Sequence, residues 1–317
     1  MRKLATLILL PLFVMTFFAM AVFAQDGAEV TSSTELVLFA TSIPEVKLEF
    51  IHSYKIPFLQ GESPLTEGNN INLSLSADAT PVSINAFVKA VWTPIAFIEL
   101  SAGGRAGSGW PINLLGGDIY GIGLNLPGED GEAVNDGSAL DGLLWKAHLG
   151  GTFQFDLAAI FPGDWNSIVF LTYHEINYHG YTRAKACQTW HFEGDEGENM
   201  NGFNYYGNFV LGYQMPIFLN LVAFMTEMDL HLYDTANRSA WGDDLIRWTF
   251  SCILSFEITE QLGIAVITQL RTRRNFTNFD EKNDSLDSMY FQLRQLDTSN
   301  PLRLEFYRVA VALTYKF

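Results

Sequence analysis

Glu227, Asp229 and His231 stand at every second position of one stretch and carry the groups most able to do acid–base chemistry. A carboxylate beside an imidazole is a general acid/base pair, and alternate residues of an extended chain point to one side. No nucleophilic serine motif accompanies them, so the spacing favours hydrogen-bonded residues of a polar face over a hydrolase, and no catalytic residue is assigned. Asp234, Asp243 and Asp244 lie just beyond. The wider set of charged candidates is Glu99, Arg105, Lys146, Asp156, Arg247, Glu257, Arg271, Arg273 and Arg308, each on the polar side of an alternating segment. Both signs occur. Two chemistries fit: an internal salt-bridge lattice that stiffens a barrel, or a charged constriction that selects solutes.

Residues 107–127 form a second stretch with chemical content. Trp110, Ile112, Leu114, Leu115, Ile119, Tyr120, Ile122, Leu124 and Leu126 make it unusually apolar for a loop. An exposed loop of this kind would aggregate, so it is expected to fold over or into a barrel mouth. There it either packs against other loops or acts as a lid over an apolar ligand. Its glycines do not make a nucleotide loop, since no Lys follows and no strand–helix unit surrounds them. The acidic runs 129–141, 193–198 and 280–287 lack the spacing of a defined ion loop, so solvated surface is expected, with no metal and no cofactor.

The elements that must position these residues are strands. In 302–317, Tyr307, Val309, Val311, Leu313, Tyr315 and Phe317 alternate with Phe306, Arg308, Ala310, Ala312, Thr314 and Lys316. A period of two means a strand with one apolar and one wetter face. The cleanest repeat is 143–158, with Trp145, Ala147, Leu149, Gly151, Phe153, Phe155 and Leu157 opposite Lys146, His148, Thr152, Gln154 and Asp156. Similar alternation over 45–58, 71–92, 98–105, 167–179, 205–215, 222–233, 246–258 and 264–273 gives about ten strands, with eight to twelve compatible. Residues 35–42 read as a strand or a packed extension. The phase flips near Pro81, which reads as a bulge in one strand; a turn there would raise the count. Short turns near 93, 162, 216 and 259 alternate with long loops at 107–142, 181–202, 234–244 and 275–301.

At the start, Met1-Arg2-Lys3 precedes the apolar run Leu4 to Val22, with Val22-Phe23-Ala24 before Gln25. This is the pattern of a cleavable signal peptide, residues 1–24, leaving 25–317 as one exported domain. The formal charge of −16 becomes −18 without Arg2 and Lys3, which argues against nucleic acid or an anionic surface as partner. Cys187 falls in a loop and Cys252 on an apolar strand face, so no disulfide between them is expected.

Ten-residue alternating strands, aromatics at strand ends (Trp92, Trp145, Trp248, Tyr307, Phe256, Phe317) and a final aromatic strand together resemble bacterial outer-membrane β-barrel proteins that finish on Phe. Length, tail and loop style are similar to spirochaetal outer-membrane proteins. The resemblance implies an all-β, antiparallel, up-and-down transmembrane barrel in the outer membrane of a diderm bacterium. It further implies contact with outer-membrane lipid and with the barrel-assembly machinery during biogenesis. The expected role is a narrow or gated pore for small solutes, including apolar ones. A structural or adhesive surface protein acting through acidic loops, and an outer-membrane hydrolase, are the alternatives.

Overall fold

The computed structural model describes residues 29–43, 45–114, 117–127, 133–185, 188–193, 195, 197–232, 242–277 and 295–317. The expected signal peptide, Leu115, Cys187, the loop part 233–241 and all of 278–294, with the acidic run 280–287, lie outside them. Among the described residues, seventeen strands and one short 3-10 turn follow one another: β1 (Thr31–Thr41), β2 (Val46–Pro57), β3 (Asn70–Ala79), β4 (Ser83–Ile95), β5 (Ile98–Gly109), β6 (Pro111–Leu114), β7 (Gly117–Tyr120), β8 (Ile122–Pro127), β9 (Ala133–Asp136), β10 (Leu144–Asp156), the turn Leu157–Ala159, β11 (Ile168–Tyr181), β12 (Trp190–Phe192), β13 (Gly202–Gln214), β14 (Leu219–His231), β15 (Arg247–Glu257), β16 (Leu262–Arg274) and β17 (Leu302–Lys316). Twelve close into an antiparallel barrel in the order β1-β17-β16-β15-β14-β13-β11-β10-β5-β4-β3-β2. The other five build two small sheets among the loops, β12-β8-β9 and β6-β7. No helix among the described residues is long and apolar enough to cross a membrane, which leaves open a crossing made by strands.

Twelve strands replace the ten read from alternation, for two reasons. Residues 35–41 are part of β1, which closes the barrel by pairing with β2 on one side and β17 on the other. Pro81 is the head of a turn, not a bulge: the Thr80 amide donates to the Ser83 carbonyl at 3.0 Å and the two hydroxyls meet at 2.9 Å. The phase flip has the same origin. In the β3–β4 hairpin Leu75 faces Val88 and Ala77 faces Ala86, so an odd-numbered residue shares its face with an even-numbered one. A bulge flips the phase equally well, and alternation cannot separate the two.

Strict alternation of short turns and long loops also fails in the first third. The end that carries the tight turns 96–97, 215–218 and 258–261 also carries the twelve-residue connection 58–69, and the opposite end has short turns at 42–45 and 80–82. The long connections 110–143, 182–201, 232–246 and 275–301 do all gather at one mouth.

Polarity is inverted relative to a water-soluble barrel. Leu149 is 69% exposed, Leu211 58% and Phe224 53%, and Phe153 and Phe209 are exposed on the same outer surface. Facing inward, Ser251 is fully buried, Asn204 2% exposed and Glu175 6%. Water would penalise this arrangement by about 1.5–3 kcal/mol for each large apolar side chain left outside. Strands of 10 to 15 residues, at about 3.3 Å per residue and a tilt of about 40°, give a wall roughly 25–38 Å tall. Small inward residues make room for large ones. A Cβ on Gly150 would lie 2.6 Å from the Tyr173 hydroxyl, and one on Gly103 would lie 2.5 Å from the His148 ring.

One strand breaks the alternation with consequences for the interior. Between β16 and β17, Gln269 faces Arg308 but Leu270 faces Phe306, so Tyr307 is the extra residue of a bulge. Tyr307 therefore leaves the apolar face on which strict alternation puts it and turns into the lumen, while Phe306 becomes exposed outside. Glu305 moves to the inner face by the same step.

Candidate functional site

The lumen divides into a filled side and an open side. In a ring of twelve, β5 and β16 are six strands apart and face one another across the barrel.

On the β3–β5 wall, Arg105 lies between two rings, 5.2 Å from Phe87 and 4.6 Å from Phe192. Its Nε donates to Asn85 Oδ1 at 3.2 Å and its Nη2 stands 3.5 Å from Glu193. Glu193 also accepts from Ser83 at 2.5 Å and Asn85 at 3.1 Å, and Asn85 donates to Asp78 at 2.6 Å. Phe192 and Glu193 belong to the connection after β11, so this loop is folded into the mouth and pinned to the wall. Its strand β12 pairs with β8, and Ile122, Leu124, Leu144, Tyr181, Trp190 and Phe192 form a buried apolar core there. Glu193 adopts φ +52, a left-handed conformation unusual for a residue with a Cβ and maintained here by its three partners. His191, 3% exposed, has Nδ1 3.3 Å from Asn125 Oδ1, and burial pushes its pKa down to about 4.

The same connection reaches the far wall. Glu198 pairs with Arg274 at the end of β16, and both side chains are buried. The chain turns back on itself here, Trp190 pairing with Asn199 and the Asp195 amide donating to the Phe192 carbonyl at 3.0 Å, so one hairpin holds Glu193 to one wall and Glu198 to the other. The connection is a strap across the mouth.

Between the walls, Glu175 accepts from Lys146 at 2.6 Å, Tyr173 at 2.6 Å and Asn177 at 2.9 Å, and Tyr206 donates to Glu227 at 2.6 Å. On the β14–β17 side, Asp229 pairs with Arg247 at 2.5 Å and Glu305 with Arg271 at 3.0 Å and Arg303 at 3.4 Å. Arg308 pairs with Glu45 at 2.6 Å and donates to Gln269 at 2.8 Å. The Tyr307 ring is flanked by Arg271 at 4.0 Å and Arg308 at 4.7 Å. A cavity of about 290 Å³ opens here, lined by Arg247, Arg271, Arg273, Tyr206 and Tyr307 among others.

The candidates read from the sequence are thus distributed, not gathered. Arg247, Arg271, Arg273, Glu227 and Asp229 share the cavity, and Arg308 adjoins it across Tyr307. Arg105 and Lys146 belong to the filled side and the centre. Among the described residues, Glu99 accepts from Gln154 at 3.5 Å. Asp156 caps the turn after β10, accepting from the Ala158 amide at 3.0 Å and the Ser167 hydroxyl at 2.8 Å, which is a structural role at the opposite end. His231 is buried with Nδ1 on Asn204, and its ring lies 6.5 Å from His179; no serine hydroxyl is among its hydrogen-bond partners in the described residues. Glu257 lies at the strand end bearing the tight turns.

The apolar lid candidates also separate. Trp110 donates from Nε1 to the Pro81 carbonyl at 2.8 Å, Leu114 and Ile119 lie in the β6–β7 hairpin, Tyr120 packs 5.9 Å from His191, and Ile122 is core beneath the strap. Alternation gave no prior sign of Glu193 and Phe192, because they sit in a loop. Glu305 and Tyr307 were hidden by the bulge. Tyr173 and Glu175 were legible, since both fall on the inward phase of β11. Cys252 is free and exposed on the outer face.

The class defined by fold and site is a closed twelve-stranded antiparallel barrel with an apolar exterior and a charged, partly filled interior. No protein family matches the chain, and no curated protein matches it. Solved structures similar to it include the KdgM porin (11% identity, 90% of this chain and 99% of that one, TM-score 0.37) and the beta domain of the Bordetella autotransporter BrkA (10%, 92% and 99%, 0.39). A third is OmpT, an outer membrane protein of Vibrio cholerae (6%, 92% and 98%, 0.35). Likeness at this level carries no weight for function, which the chain's own geometry has to supply.

Proposed function

We propose that the chain is an outer-membrane β-barrel of a diderm bacterium that passes small solutes through a narrow, strapped lumen. The observation that carries this is the inverted polarity: large apolar side chains cover the outside of a closed barrel while carboxylates, amides and guanidinium groups line the inside. Such a surface is stable in hydrocarbon, where a closed ladder pairs backbone groups from strand to strand and leaves no open edge. The strap and the side-chain bridges leave one open side, so passage is narrow. Among the described residues, Ile122 and Leu124 are core beneath the strap and no apolar residue of 107–127 lines the lumen cavity, which favours polar cargo.

Purified protein refolded into a planar lipid bilayer tests both parts. Insertion with small, discrete conductance steps is the expected result. A protein that stays monomeric and soluble without detergent would overturn the membrane assignment, and silent insertion would overturn the pore.

A further inference from the structure

The groups that hold Glu193 belong to the barrel wall and brace one another without the strap. Asp78, Ser83 and Asn85 are all but fully buried there. Asn85 donates from Nδ2 to Asp78 at 2.6 Å and accepts at Oδ1 from Arg105 Nε at 3.2 Å. Its amide is therefore fixed, with one N–H left for another acceptor. Thr80 meets the Ser83 hydroxyl at 2.9 Å, which leaves the serine proton for the same use. Gly107, directly across from Asn85, makes the room: a Cβ there would lie 1.9 Å from Asn85 Oδ1. Three donors then converge on a single oxygen, Glu193 Oε1, with Ser83 at 2.5 Å, Asn85 at 3.1 Å and Arg105 Nη2 at 3.5 Å. Buried donors aimed in this way are preorganised for a carboxylate, and leaving them without an acceptor is costly.

Neighbouring charges restrict what else can sit in this cradle. Asp78 and Glu49 face one another across β3 and β2, and both act electrostatically on Arg105. Arg105 is already shared among three carboxylates when Glu193 is docked. One negative charge is accepted at Glu193's place, and a second on the same ligand meets repulsion. The Arg105 side chain is 25% exposed and that of Glu193 17%, so a solute in the lumen reaches the contact. Phe87, 5.2 Å from the guanidinium, stays on the wall if Phe192 leaves with the strap, and offers an apolar surface to a short alkyl group.

We propose that Ser83, Asn85 and Arg105 form a receptor for a small monocarboxylate solute, with Glu193 as its tethered occupant, and that a solute taking Glu193's place frees this end of the strap. The consequence for passage rests on the pore reading; binding does not. A tethered group competes at an effective concentration of the order of millimolar, so its removal tightens the binding of a free carboxylate.

Acetate binding to the detergent-solubilised full chain, followed by saturation-transfer NMR at pH 7 and constant ionic strength, tests the receptor, with sulfate as the dianionic comparison. Glu193→Ala should bind acetate about tenfold more tightly than the wild type. Ser83→Ala in the E193A background should lose that gain, and sulfate should displace no acetate. In the wild type, amides 190–193 should exchange faster in acetate than in chloride. A heat-dependent shift in gel mobility identifies each variant that is a folded barrel. Arg105→Lys in the same background, which keeps the charge but not the planar fork, replaces S83A if the latter does not fold. Equal acetate affinity in wild type and E193A, an E193A gain that survives the loss of the donor, or sulfate binding as tight as acetate would each overturn the receptor. Bilayer recordings separate this from the pore reading. Acetate binding in silent bilayers leaves the receptor standing and removes the pore; conductance without acetate binding in E193A does the reverse.

Discussion

On the β3–β5 wall, Arg105 is enclosed by Phe87, Phe192, Asn85 and Glu193; on the β15–β17 wall, Arg271 and Arg308 flank the Tyr307 ring and still border a cavity. The residue types are alike: arginine, aromatic ring, carboxylate. They differ in where the carboxylate and second ring come from. At Arg105 a loop delivers both Phe192 and Glu193, so the site is complete only when the strap is docked. At Arg271 and Arg308 the barrel strands supply Glu305, Gln269 and Tyr307 and the short β1–β2 turn supplies Glu45, so these two arginines keep acceptors that the strap does not deliver. A charge satisfied by a loop couples to opening. A charge satisfied by the barrel is permanent.

The largest test of that difference is Glu193→Ala. It removes the acceptor for Ser83, Asn85 and Arg105 together, and losing a charged partner of partly buried donors costs about 2–3 kcal/mol. Single-channel conductance should rise several-fold in this variant, while the heat-modifiable barrel is unchanged. An identical conductance would show that the strap does not obstruct the lumen.

Acidification comes next. His191 is held neutral, with its pKa depressed to about 4 from an ordinary 6.5. Its contribution to strap docking is therefore fully present above pH 6.5 and is lost as pH falls toward 4. The expected loss is about 2 kcal/mol at pH 5. Hydrogen exchange of amides 189–192, corrected for intrinsic rate, should accelerate between pH 7 and 5 in the wild type and lose this dependence in His191→Asn. The β16 and β17 amides should keep their protection in both.

The smallest effect belongs to the open wall. Tyr307→Leu removes the ring flanked by Arg271 and Arg308, worth about 1–2 kcal/mol for two partly solvated cation–π contacts. Thermal stability of the barrel should fall slightly, and conductance should stay within about twofold of wild type, because no loop is released. A large rise in conductance would erase the distinction between the two walls.

The pattern of residues made one half of this molecule readable. Phe153, Phe209, Leu211 and Phe224 point outward as period-two alternation requires, and Lys146, Glu227, Asp229 and Arg271 point inward for the same reason. The Pro81 turn was not readable, because a bulge and a four-residue reversal leave the same trace in alternation; only hydrogen bonding between Thr80 and Ser83 separates them. Tyr307 was misplaced because the register shift at Gln269/Leu270 is a relation between two strands, invisible in either alone.

Sequence by itself determined which faces are apolar, that the elements are strands, and roughly where most of them end, because side-chain direction in a strand depends only on residue parity. The closure through β1, the bulge that brings Tyr307 and Glu305 inside, and the strap joining Glu193 to Arg105 and Glu198 to Arg274 were decided by tertiary structure alone. Each joins residues tens to hundreds of positions apart, and no local periodicity encodes such a contact.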